Sequence, residues 1–342
     1  MPTPEPAGDP RTRQLLAALL ALGISVALLW WALRGVSLAD VIRHVRAARP
    51  GPLALAVVLA TLTFPVRWIR WRVLLQGGEA AGRSGPLWHA VAVGFMANNL
   101  LPFRAGELVR SYTAARLGGI RFTTVLTSVA VERIFDGLTV VALLTLGLLS
   151  SDLPSSLTIG GISVAHVAQV GALISGAAFV LALSAVVFPA YAEGVVRRLS
   201  PSEPLANKLV SVIEGIRQGL MVLSTPARLL PVVVWSLVLW MGNALAFYVG
   251  YAAFDIPVSY SGALLMQGLL VLGISIPSTP GFFGPFEAVI VAVLALYGIS
   301  NEIAFSYAIA YHITSFVPIT LLGLWSLTRI PGGFRGLRQA QL

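Results

Sequence analysis

Two long apolar segments of this chain are interrupted by the same kind of break, one in each half. The first break reads Asn98-Asn99-Leu100-Leu101-Pro102-Phe103-Arg104-Ala105-Gly106-Glu107. The second reads Ile276-Pro277-Ser278-Thr279-Pro280-Gly281-Phe282-Phe283-Gly284-Pro285-Phe286-Glu287. In each, a Pro stands four residues before a Gly, and a Glu follows that Gly within three residues. The two glutamates are 180 positions apart (287 minus 107). So are Glu132 and His312 (312 minus 132), each near the start of the next apolar segment. Backbone that breaks inside hydrocarbon leaves N–H and C=O groups unsatisfied, so it must be buried in protein or line a cavity. Matching breaks in two halves of a membrane chain are the sequence pattern of a transporter binding site.

Composition makes the membrane reading firm. Of 342 residues, 57% are hydrophobic and 11% charged, against about 25% charged in a soluble domain. The mean hydropathy is +0.84. Of the 23 basic residues 22 are Arg, and most flank apolar segments, where they set topology. The net charge of +9 therefore points to no nucleic-acid partner. The absence of cysteine excludes disulfides, Cys-ligated zinc and a Cys nucleophile. No cofactor or metal is expected, and no motif for ATP is present.

Six segments have the roughly 20 residues needed to cross a bilayer: 14–33, 52–75, 123–149, 162–188, 227–254 and 302–328. The two broken segments, 86–117 and 261–298, have arms of roughly 15–16 residues. Such an arm reaches about 24 Å, short of the roughly 30 Å hydrocarbon core. Each is read as a re-entrant hairpin of two half-helices; two short tilted spans are the alternative. The expected fold is all-α, six spanning helices plus two re-entrant hairpins. Each half runs span, span, hairpin, span and crosses three times, which predicts an inverted repeat. The expected divisions are a disordered tail 1–13, a first membrane repeat 14–150, a second 151–328 and a tail 329–342. Residues 195–223 are read as an amphipathic helix on the cytoplasmic face. The arginine bias favours both termini inside: only the loop with Arg34, Arg43, Arg46 and Arg49 carries basic residues on the outer side.

Ionisable residues at membrane depth usually face a cavity or one another. Arg104, Glu107 and Arg110 are three apart and share a helix face if the helix is continuous. Glu132, Arg133 and Asp136 lie within about one turn, and the second half supplies Glu287 and His312. These eight are the candidate substrate residues. Asn98, Asn99, Pro102, Gly106, Pro280, Gly281 and Gly284 form the candidate hairpin tips. Each also admits a plain structural role. Glu107 and Glu287 can cap half-helices, and Arg133 with Asp136 can be an ion pair. Arg104 and Arg110 can reach headgroups. His312 can be a packed, hydrogen-bonded side chain. Asn98 and Asn99 can satisfy open backbone at the break.

The motifs resemble a known family. Leu101-Pro102-Phe103-Arg104-Ala105-Gly106-Glu107 followed by Arg110, Glu132-Arg133-Ile134-Phe135-Asp136, Pro277 through Glu287, and Arg70-Trp71 are similar to signatures of the flippase-like, lysylphosphatidylglycerol synthase transmembrane-region family. The resemblance implies movement of a polar-headgroup lipid between leaflets of a bacterial cytoplasmic membrane. Aminoacylated phosphatidylglycerol, polyprenyl-linked sugars and hopanoid-type lipids are the classes it brings. The chain ends soon after its last apolar segment, so lysyltransferase activity is not expected. Two other classes remain: a membrane enzyme on a lipid-linked substrate, and a non-catalytic partner of a lipid-headgroup synthase.

Overall fold

The computed structural model describes residues 10–75, 84–101, 104–150, 153, 158–159, 162–163, 166, 169–174, 176–177, 180, 189–207, 210, 226–276 and 278–330. Eleven helices carry the described chain. They are α1 (Pro10–Ala32), α2 (Leu38–Ala47), α3 (Pro50–Leu75), α4 (Ser84–Leu100), α5 (Gly106–Gly118), α6 (Phe122–Ser150), α7 (Pro189–Leu199), α8 (Pro226–Tyr251), α9 (Tyr260–Gly273), α10 (Pro285–Ala295) and α11 (Asn301–Thr328). Short 3₁₀ turns occupy Ala252–Phe254 and Pro280–Phe282. Among the described residues, Pro50–Leu75, Leu229–Phe254 and Asn301–Thr328 are long and apolar enough to cross a membrane. Large apolar side chains such as Leu20, Val26, Leu55, Leu62, Leu230 and Leu321 stand exposed on the outside. An apolar exterior of this extent suits lipid rather than water.

Local chemistry explains where the helices start and stop. Gly119, at φ 62°, ends α5 in the left-handed conformation and returns its N–H to the Ala115 carbonyl. Ser300 caps α11 with Glu302 in its first turn. Gly284 and Pro285 start α10, and the Glu287 carboxylate closes back on the Gly284 N–H at 2.7 Å. Pro65 interrupts the ladder of α3. In the turn before it, the Thr61 and Thr63 hydroxyls donate to the Val57 and Ala60 carbonyls.

The segment with Arg34, Arg43, Arg46 and Arg49 contains a helix, α2, whose Leu38, Val41, Ile42 and Val45 form one apolar stripe. Two local expectations are corrected. Ile162 and Ser163 pair with Thr158 and Ile159 in a two-residue antiparallel bridge instead of opening a span at 162. The amphipathic stretch is not one continuous helix: α7 ends at Leu199, before Pro201, and a new turn begins at Glu203. A proline cannot donate to the ladder and disfavours helix in the residue before it. Most of 164–188 and 208–225 lies outside the described residues.

Helices α3–α6 have 26, 17, 13 and 29 residues; α8–α11 have 26, 14, 11 and 28. The packing between the two sets is reciprocal. Helix α3 packs on α8, α4 on α11, and α6 on α9. Small residues form the last two seams. A Cβ at Gly147 of α6 would lie 2.7 Å from the Leu265 nitrogen of α9. One at Gly323 of α11 would lie 2.8 Å from the Ala92 carbonyl of α4. Gly147 and Gly323 are 176 positions apart (323 minus 147). Within the hairpins, Gly94 of α4 admits the Arg110 side chain of α5, and Gly273 of α9 admits Val289 of α10. Both of these pairs are shifted by 179 (273 minus 94; 289 minus 110). Close helix contact through small residues is how packing is gained where lipid removes the hydrophobic drive.

Candidate functional site

A buried charge cluster sits where α3, α5, α6 and α8 meet. Its centre is Glu132, fully buried on α6. Its Oε1 accepts from Arg70 Nη2 at 3.0 Å, Arg110 Nη1 at 3.2 Å and Arg133 Nη2 at 2.7 Å. Its Oε2 accepts from Arg110 Nη2 at 2.7 Å. One turn on, Asp136 Oδ1 accepts from Arg70 Nη1 at 2.6 Å and from the Trp240 indole N–H at 2.8 Å. Arg133 Nη2 lies 2.9 Å from Asp136 Oδ2, off the line of a hydrogen bond. Arg70 Nη1 also reaches the Ser236 hydroxyl at 3.0 Å. The Arg110 guanidinium stacks 3.8 Å from the Trp71 ring centre, and the Trp71 indole donates to Ser128 Oγ at 3.0 Å.

Depth sorts these residues into two roles. Arg70, Arg110, Glu132 and Asp136 are buried and pair with one another. They form an ionic keystone for the four helices. Arg133 and Glu107 lie at its open edge, 35% and 30% exposed, with a looser 3.6 Å contact between them. Any ligand arriving from outside meets this edge first.

The breaks lie beside the cluster. Asn98 Oδ1 accepts from the Gly106 N–H at 2.9 Å, and Asn99 Nδ2 donates to Thr320 Oγ1 of α11 at 3.0 Å. Arg104 is exposed and lies ahead of α5, at φ 52°. The expected shared face of Arg104, Glu107 and Arg110 is therefore corrected: the left-handed residue turns the chain before the helix begins. In the second break Gly281, Phe282 and Gly284 have φ of 74°, 63° and 97°. Gly284 backs onto the Ser25 carbonyl, where a Cβ would lie 2.3 Å away. The two breaks touch: the Arg104 guanidinium lies 5.7 Å from the Phe282 ring centre, and the Pro280–Phe282 turn packs on α4. Left-handed φ in a non-glycine residue at both breaks, Arg104 and Phe282, is local strain held by the surroundings. Pro102 lies outside the described residues.

One N–H at each helix start beside the breaks has a side-chain partner. The first N–H of α5 is taken by Asn98, and the N–H at the cap of α10 by Glu287. Glu287 also meets His312 Nδ1 through Oε1 at 2.6 Å, while His312 Nε2 meets the Gly281 carbonyl at 2.8 Å. A carbonyl only accepts, so Nε2 carries a proton. His312 stacks between Phe283 and Phe286, at 4.5 and 4.1 Å.

The sequence reading located Glu107, Arg110, Glu132, Arg133 and Asp136, and the structure joins them through contacts. It does not join Glu287 and His312 to them: these make a separate station. Trp240 and Ser236, which complete the cluster, and Arg67 are absent from the sequence reading of the site, and Arg70 enters it only through the Arg70-Trp71 motif. Arg67 and Arg70 both lie on α3. Their spacing of three on an apolar helix was the available sign that they share a buried face.

Comparison with known proteins supports a membrane, lipid-related class. The chain is 25% identical over 287 residues to a UPF0104 membrane protein of Methanothermobacter thermautotrophicus, covering 79% of this chain and 81% of that one. A second UPF0104 membrane protein of the same organism is 23% identical over 329 residues, covering 91% and 92%. It is also 28% identical over 166 residues to Glycosyltransferase AglD of Haloferax volcanii. That match covers 41% of this chain and only 26% of the glycosyltransferase. The model of the lysylphosphatidylglycerol synthase TM region matches residues 18–323, and this chain belongs to that family.

Proposed function

We propose that this protein moves a polar-headgroup lipid between the leaflets of a bacterial cytoplasmic membrane. The observation that carries this reading is the charge cluster: an arm of a broken helix and two further helices place six charged groups in an apolar body, with an edge left open beside the two touching breaks. The reciprocal packing of α3–α6 and α8–α11 supports an inverted repeat; in the proposed topology the hairpins are re-entrant, six helices span, and the arginine bias puts both termini inside. In this arrangement the headgroup meets Arg133 and Glu107 at the open edge, while the acyl or prenyl tail stays in lipid. Aminoacyl-phospholipids, polyprenyl-linked sugars and hopanoid-type lipids all have the required form of a charged or polar head on an apolar tail.

The test is reconstitution in liposomes with headgroup-labelled lipids of these classes. Wild type is expected to make the label accessible from the opposite leaflet, and Glu107→Gln and Arg133→Ala to slow this at least tenfold. Movement of no class by the wild type would end the proposal. The similarity to a glycosyltransferase favours one second reading, a membrane partner for an enzyme of lipid-linked sugars. Co-purification of such an enzyme, with unchanged function of Glu107→Gln in cells, would support it instead.

A further inference from the structure

We propose that Arg67 is the phosphate-binding residue of the site, holding the phosphodiester of the lipid that the transporter reading requires. Arg67 lies one turn before Arg70 on α3 and is 9% exposed. Among the described residues no acceptor bonds its guanidinium and no carboxylate pairs with it, whereas Arg70, Arg110 and Arg133 all have carboxylate partners. Its contacts are ring faces: Phe95 of α4 at 4.7 Å and Trp240 of α8 at 5.7 Å. The Nε atoms of Arg70, Arg110 and Arg133 are sealed from solvent and unbonded; no nitrogen of Arg67 is sealed in this way. The rings hold the plane of the guanidinium and leave its N–H edge for a ligand.

Charge balance gives the sign and class of that ligand. Arg67, Arg70, Arg110 and Arg133 stand against Glu107, Glu132 and Asp136, one positive charge in excess. Asp136 cannot supply the missing anion, because Arg70 and Trp240 occupy its Oδ1 and Arg133 lies against its Oδ2. Trp240 separates the two, giving its ring face to Arg67 and its N–H to Asp136. An unpaired buried guanidinium is costly at membrane depth, and its planar fork suits a phosphate oxygen pair. The corresponding position of the second half is Asn243 (67 plus 176), a neutral residue whose Nδ2 bonds the Leu239 carbonyl. The phosphate subsite thus belongs to one half only.

The experiment is tryptophan fluorescence of purified protein titrated with dihexanoyl-phosphatidylglycerol, with inorganic phosphate, and with dihexanoylglycerol. The expected result is a saturable change with phosphatidylglycerol, weakened at least tenfold in Arg67→Gln and partly kept in Arg67→Lys, with no specific change from dihexanoylglycerol. Equal affinity for inorganic phosphate would keep the anion site and overturn its lipid source. Phosphatidylglycerol binding unchanged in Arg67→Gln would overturn the proposal. A second measurement guards against a folding defect. Without added lipid, Arg67→Met is expected to raise the thermal midpoint and Arg70→Met to lower it. A fall with Arg67→Met would show a structural partner and overturn the proposal. Liposome transport separates the two claims: wild type that binds through Arg67 but moves no lipid sinks the transporter reading alone, and Arg67→Gln that binds and moves lipid as wild type sinks this one alone.

Discussion

At the scale of single residues, Glu132 is the most consequential side chain. Three guanidiniums converge on it, and its loss leaves buried Arg110 with no carboxylate partner, while Arg70 and Arg133 keep only Asp136 and, for Arg133, the looser Glu107. Breaking a buried ion pair from one side costs about 3–5 kcal/mol, so Glu132→Gln is expected to lower the thermal midpoint in detergent strongly. Adding Arg110→Gln should recover part of that loss, because one stranded charge is removed; a double-mutant cycle measures the coupling. Glu287→Ala leaves the Gly284 N–H without its acceptor and His312 Nδ1 without its partner. A buried polar group left unsatisfied costs about 1–3 kcal/mol, and Glu287→Gln, which still accepts from Gly284, should cost less on the same thermal scan. Ionisable residues are rare in apolar segments, which is why most members of the cluster were legible in the sequence. Their partners were not, since nothing along the chain announces that Trp240 reaches Asp136 across 104 positions. Arg67 and Arg70 carry the same letter as the arginines that set topology, and only burial tells them apart.

At the scale of elements, the seams between the two sets of helices depend on atoms that are absent. A side chain at Gly323 meets the Met96 Cβ at 2.2 Å and the Ala92 carbonyl at 2.8 Å. Neither neighbour can move without shifting a helix. Gly323→Leu and Gly147→Leu are expected to abolish the folded, monodisperse peak in gel filtration, and Gly137→Leu, which meets nothing within 4 Å, to leave it intact. The approximate bounds of α1, α3, α6, α8 and α11 were readable because apolar length and Gly/Pro breaks survive any packing. Helix α2 was readable in principle, from the spacing of Leu38, Val41, Ile42 and Val45, but its arginines drew attention as topology markers. The turn of the chain at Arg104 was not readable: a left-handed arginine has no sequence signature, and the spacing of three suggested a continuous helix instead.

At the scale of the whole molecule, the two breaks are the place where both halves meet, and the cysteine-free chain makes this testable. With Arg104→Cys and Phe282→Cys in one molecule, a short thiol-cleavable cross-linker is expected to join the breaks and stop lipid movement in liposomes. Reduction should restore it. Movement that continues at full rate in the cross-linked protein would mean that the breaks need not part. The halves share a frame yet differ in chemistry. Where the first hairpin places Arg110 against its glycine, the second places Val289. Where the first half gathers guanidiniums and carboxylates, the second stacks a Glu–His couple between phenyl rings. On the proposed function, a charged headgroup dwells longer in the half that gathers guanidiniums than in the half that pairs Glu287 with His312.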